Sequence, residues 1–113
     1  METKNSILYL YGFSPRLRDK IESLLKILKE QIKSNFEIHI ALIHDGVIGS
    51  TTIGKVSEIL LELSNLPLNL YVLIPDLKAR GMDSNNLFNK IRGIDYEDLV
   101  DILVDTQKIV SWM

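Results

Sequence analysis

Ile7-Leu8-Tyr9-Leu10-Tyr11-Gly12-Phe13-Ser14-Pro15, the helical stripe that follows, and Ile38-His39-Ile40-Ala41-Leu42-Ile43 together decide the fold. The first run is short, apolar and rich in β-formers, bounded by Asn5-Ser6 and Gly12, so it reads as a buried strand. Ser14-Pro15 supplies an N-cap and then a proline at the first helical position, where its missing N–H is harmless. Leu17, Ile21, Leu24, Leu25, Leu28 and Ile32 recur at spacings of three and four, which places them on one helical stripe. Asn35 stops that helix, and residues 38–43 form a second strand ending at His44-Asp45-Gly46.

Outward from this β-α-β unit the pattern repeats. Ser50-Thr51-Thr52 can cap a second helix with Ile53, Val56, Leu60 and Leu63 on its inner face, and Pro67 marks the exit. Leu70-Tyr71-Val72-Leu73-Ile74 is a third strand closed by Pro75-Asp76; a helical turn covers Leu77 to Arg80 and Gly81 ends it. Met82 to Gly93 reads as a loop or a short helix. Asp95 caps a last helix whose inner face is Tyr96, Leu99, Val100 and Leu103, and a terminal strand falls around Ile109 to Trp112. This alternation predicts an α/β fold: a small parallel sheet with helices on both faces, spanning residues 1–113 as a single domain. In such open sheets ligands and partners meet the carboxyl ends of the strands. Gly12-Phe13-Ser14, His44-Asp45-Gly46 and Pro75-Asp76 fall there, so function is expected at that edge.

Apolar residues make up 46% of the chain and charged residues 25%, the balance of an ordinary globular protein. Thirteen basic against 15 acidic residues leave a net charge of −2, which predicts no general attraction to nucleic acid. The charges are unevenly placed. Met1 to Ser34 carries a net +3, and the segment from Ile94 onward, with Asp95, Glu97, Asp98, Asp101 and Asp105 against Lys108, a net −4. Such runs are solvated helix faces or complementary docking surfaces that steer association. The chain has no cysteine, which excludes disulfides, thiolate metal ligands and cysteine catalysis. Neither a signal peptide nor a membrane span is expected, and a cytoplasmic protein is the default.

Gly49-Ser50-Thr51-Thr52-Ile53-Gly54-Lys55-Val56 matches the phosphate loop GxxxxGK[ST] at every position but the last. Val56 has no hydroxyl for magnesium, and His44 to Ile48 separate the loop from the strand it should follow. His39 lies mid-strand and reads as a packed residue. His44 beside Asp45 could do acid–base work, but with no cysteine nucleophile and only scattered serines no triad assembles, and the pair reads as structural or interface residues. No metal site and no cofactor are expected. Asp76 and Arg80 have the spacing of an intrahelical ion pair, and Tyr96 reads as core. Trp112, near the end of the chain, is a candidate for packing against another subunit.

The ordered set Ile7-Leu8-Tyr9 leading to Ser14-Pro15, Ile43-His44-Asp45-Gly46-Val47, Leu70 through Pro75-Asp76-Leu77-Lys78-Ala79-Arg80-Gly81, Ile94-Asp95-Tyr96-Glu97-Asp98-Leu99-Val100 and Trp112 resembles the TusB/DsrH family of sulfur-relay subunits. The resemblance implies a flavodoxin-like or Rossmann-like three-layer domain assembled with DsrE/TusD-like and DsrF/TusC-like subunits into a hetero-oligomer. Such complexes pass persulfide sulfur between cysteines, toward tRNA wobble-uridine thiolation or within sulfur oxidation, and the main sulfur-carrying cysteine belongs to the DsrE-like partner. Some members carry a further cysteine in the first helix, at a position that falls near Leu24 here. The resemblance therefore implies a non-catalytic subunit, with His44, Asp45, Gly46, Asp76, Arg80, Gly81 and Trp112 contacting partners or bordering a partner's cysteine pocket. A cation at Arg80 would favour a thiolate there. The alternatives are a small nucleotide-binding protein using Gly49 to Lys55, and a self-associating α/β module, homo-oligomeric in isolation and unrelated to sulfur.

Overall fold

The computed structural model describes residues 5–14, 16–53 and 57–113. Five strands, β1 (Ser6–Tyr11), β2 (Glu37–Leu42), β3 (Asn69–Leu73), β4 (Ile91–Ile94) and β5 (Lys108–Trp112), form one sheet in the order β4-β3-β2-β1-β5, all neighbours parallel. The helices are α1 (Arg18–Lys33), α2 (Glu58–Ser64), α3 (Ile74–Ala79) and α4 (Tyr96–Asp105), with 3₁₀ turns at His44–Val47 and Ser84–Asn86. The steps from β1 through β4 all run one way, and β4 to β5 returns across the sheet. Right-handed crossovers then put α1 and α2 on one face and α4 on the other.

The core lies under α1 and α2. Ile21, Leu24, Leu25 and Leu28 of α1 and Ile59, Leu60 and Leu63 of α2 pack on Ile7, Tyr9, Tyr11, Ile38, Ile40, Leu42, Leu70, Val72 and Ile91. Alternation sends Leu8, Ala41, Leu73 and Ile94 to the opposite face, where they are also buried. The apolar stripe read from the sequence fixes α1. Asn35, at φ +67, ends it, with the Phe36 N–H returning to the Gln31 carbonyl.

The structure departs from the sequence expectations at several element ends. Helix α1 starts at Arg18 behind Leu17, without a side-chain cap; Ser14 instead forms a local turn, its Oγ accepting from the Arg16 N–H at 3.2 Å. Pro15 lies outside the described residues. Leu17, expected on the inner stripe, is exposed. Ser50 and Thr51 do not cap α2. Both are buried, the Ser50 hydroxyl donates to the Val47 carbonyl at 2.7 Å, and Thr51 bridges Leu87 in an extended pairing. Ser57 caps α2, accepting from the Leu60 N–H at 3.2 Å, and Ile53 is left exposed; Val56 lies outside the described residues. Helix α3 begins earlier than expected because Pro75 is tolerated in its first turn. The stretch 82–93 contains most of a fourth strand. The expected Asp95 cap is present as a full capping box with Asp98, at 2.8 Å and 3.2 Å. Tyr96 and Val100, expected to face inward on α4, are exposed.

Candidate functional site at the carboxyl edge

The ends of β1, β2 and β3 bring most of the expected site residues into one network. Ile43 closes β2 by donating its N–H to the Tyr11 carbonyl at 3.0 Å, and the chain turns at His44, whose φ is +49. The following 3₁₀ turn passes so close to β1 that a Cβ on Gly46 would stand under 3.0 Å from the Tyr11 carbonyl oxygen. Only glycine fits without moving backbone. The His44 N–H donates to Asp76 Oδ2 at 2.7 Å, which ties the end of β2 to the first turn of α3.

Arg80 completes the tie. Its Nε and Nη2 both reach Asp45 Oδ1 at 3.0 Å, and its Nη1 donates to the Asp76 carbonyl at 3.0 Å. The spacing of Asp76 and Arg80 suggested an ion pair between their side chains. Instead Arg80 uses the Asp76 backbone, and the Asp76 carboxylate serves His44. The guanidinium is mostly covered while Asp45 remains half-exposed, so Arg80 is a clamp with its charge already matched. Gly81, at φ +72, ends α3 in a conformation that suits glycine.

Trp112 lies on the other side of β1. It pairs in register with Tyr11, is half-buried against the core, and its carbonyl accepts the Gly12 N–H at 2.8 Å. Gly12 in turn sits between His44 and Met113. Tyr11 is the anomaly of this edge. Its hydroxyl is buried and has no partner among the described residues. Burial pushes its phenol up to about 12, with nearby Asp19 adding in the same direction.

An open groove of about 1050 Å³ is lined by Asp45, Ile48, Ser57 and Glu58 together with Arg16 and Arg18. Sequence reasoning missed the two arginines; their place just before and at the start of α1, beside the carboxyl edge, was the available clue. The phosphate-loop reading meets an obstacle in the described part of its segment. The Ser50 N–H donates to Val47 and the Thr52 N–H to Asn86, so neither is free to cradle phosphate. Gly54 and Lys55 lie outside the described residues. His39 is a packed residue, as expected: its Nδ1 lies 3.0 Å from the Tyr71 hydroxyl, its Nε2 lies 3.4 Å from Glu37, and its ring stacks on Tyr71. Among the described residues no group of three or more His, Cys, Asp or Glu is placed to hold a metal. No helix among them is long and apolar enough to cross a membrane.

The family model described as DsrH like protein matches residues 13–109. The chain belongs to the DsrH-like family. Its curated relatives include Protein TusB of Escherichia coli O81 (strain ED1a), 32% identical over 99 residues, which are 88% of this chain and 93% of that one. Protein TusB of Pectobacterium parmentieri is 34% identical over 73 residues, 65% of this chain and 73% of the relative. Among solved structures, the ychN protein from E. coli superposes with a TM-score of 0.76 at 18% identity, covering 96% of this chain and 99% of that one. The protein of unknown function MTH1491 from Methanobacterium thermoautotrophicum gives 0.74 at 12% identity, with the same coverage of each chain. These two likenesses establish the DsrH-like chain's fold and nothing of its chemistry.

Proposed function

We propose that this chain is a non-catalytic, partner-binding subunit of a cytoplasmic sulfur-relay complex, working beside DsrE/TusD-like and DsrF/TusC-like subunits. The observation that carries the reading is the DsrH-like match over residues 13–109 in a chain with no cysteine. Persulfide transfer needs a thiolate that attacks the terminal sulfur of a donor persulfide, forming a new S–S bond while the donor thiolate leaves. No side chain here can take either part, so the sulfur travels on partner cysteines. The relatives' name, Protein TusB, favours the tRNA wobble-uridine branch over sulfur oxidation.

In this reading the carboxyl edge is a pre-shaped contact surface. The Arg80–Asp45 pair and the Asp76–His44 bond hold the 3₁₀ turn and α3 in one rigid unit before any partner arrives. Rigid surfaces lose less entropy on association. Because Arg80 is engaged by Asp45, its role is to position this unit rather than to act as an open cation for a partner's thiolate.

The test is a reconstituted relay in which persulfide is located by alkylation and mass spectrometry. Persulfide confined to the DsrE-like partner, with transfer slowed when this chain is left out, supports the reading. Transfer at full rate without this chain sinks it.

A further inference from the structure

Helix α4 carries two parallel stripes that its own fold does not use. Tyr96, Val100 and Val104 recur at every fourth residue and are 58%, 54% and 77% exposed. Beside them run Glu97, Asp101 and Asp105, also four apart and also exposed. Among the described residues no ion pair reaches any of these three carboxylates. The arrangement is costly for an isolated helix. Like charges at i,i+4 repel, Asp105 opposes the dipole at the carboxyl end, and no residue of α4 is fully buried.

Charge selects what could cover this surface. Helix α4 carries no Lys or Arg, so a two-fold pairing with its own copy would leave both acidic stripes unneutralised, and an antiparallel one would set them against each other. An anionic lipid surface would repel it as well. A protein surface with aliphatic or aromatic residues flanked by Lys or Arg would bury the apolar stripe, neutralise the carboxylates and offset the dipole conflict together. We infer that α4 is a docking helix for a partner subunit presenting such a basic-edged apolar surface. This site is separate from the carboxyl-edge network, and the choice of probe rests on the relay-subunit reading.

The experiment uses the full chain with DsrE-like and DsrF-like proteins from the same genome. Amide hydrogen exchange across 96–105 is compared free and bound, and dissociation constants are measured for wild type, for Val100→Ser with Val104→Ser, and for Asp101→Lys with Asp105→Lys. These positions are exposed, so the variants should keep the wild-type fold, which circular dichroism checks. Expected are slower exchange in α4 on binding and affinity at least about tenfold weaker for both variants. The lysine variant should also lose much of the salt dependence seen between about 50 and 500 mM. A complex that forms with α4 exchange and both affinities unchanged overturns the docking helix and leaves the relay reading standing. If the serine variant disrupts only a homo-oligomer, the occupant is a second copy and the inference fails. Wild type that binds neither protein removes both readings.

Discussion

Replacing Gly46 by alanine adds one methyl where the 3₁₀ turn crosses the end of β1. The new Cβ would stand under 3.0 Å from the Tyr11 carbonyl oxygen, 3.2 Å from its carbon and 3.5 Å from the Gly12 Cα. All three neighbours are backbone, so no side chain can swing away. Relief requires the turn to lift off β1, and the shift strains the Ile43 N–H bond to Tyr11 and the His44 N–H bond to Asp76. Overpacking of this kind costs about 1–3 kcal/mol. With about 2 kcal/mol taken as the central value, the melting temperature of a domain this size should fall by roughly 10 °C. Thermal and urea unfolding followed by circular dichroism measure it. Gly81→Ala is the control: nothing lies within 4 Å of its Cβ, but φ is +72, so the backbone alone should cost about 1 kcal/mol. A Gly46→Ala protein melting within about 2 °C of wild type, or above Gly81→Ala, would refute the packing argument.

Tyr11→Phe removes a buried hydroxyl without a described partner, so unfolding stability should stay level or rise by about 1 kcal/mol in urea titrations. In wild type, stability should fall as pH rises from the ordinary tyrosine value of 10.0 toward about 12, because the folded state holds the Tyr11 proton that the unfolded chain releases. Tyr11→Phe should lessen that slope without abolishing it, since burial also raises Tyr9 and Tyr71, and pH-dependent melting reads the difference. Asp95→Ala breaks the capping box of α4 and should cost about 1 kcal/mol by the same unfolding assays. Arg80→Ala and Asp45→Ala, taken singly and together, should show a coupling of about 0.5–1 kcal/mol, since the pair is only partly covered; purely additive effects would remove the clamp.

The parts of the fold that the sequence made legible are those where one local pattern met one strong constraint. Strands β1 to β3 are apolar runs between turn residues, α1 has a complete inner stripe, and Asp95 with Asp98 announces the start of α4. Strand β4 leaves little sequence signal because Ile91-Arg92-Gly93-Ile94 is four residues long, with an arginine and a glycine at its centre, and sits at the sheet edge. The start of α2 is obscured in the sequence because Ser50 and Thr51 look like caps while their hydroxyls bond to backbone carbonyls. For α4 the periodicity gave an apolar sector without saying how much of it the sheet covers. Leu99, Ile102 and Leu103 take the partly covered part, and Tyr96, Val100 and Val104 are left outside it. The candidate site was legible as three polar strand ends on one edge. Its wiring was not, since the Asp76 carboxylate reaching back to His44 depends on tertiary geometry that residue spacing does not encode.

Membership of a relay assembly can be read from native mass. The chain is weighed alone and after co-expression with DsrE-like and DsrF-like proteins from the same source. A relay subunit gives a defined hetero-oligomer containing all three, stable through gel filtration. A chain that keeps the same mass in the presence of both is not such a subunit.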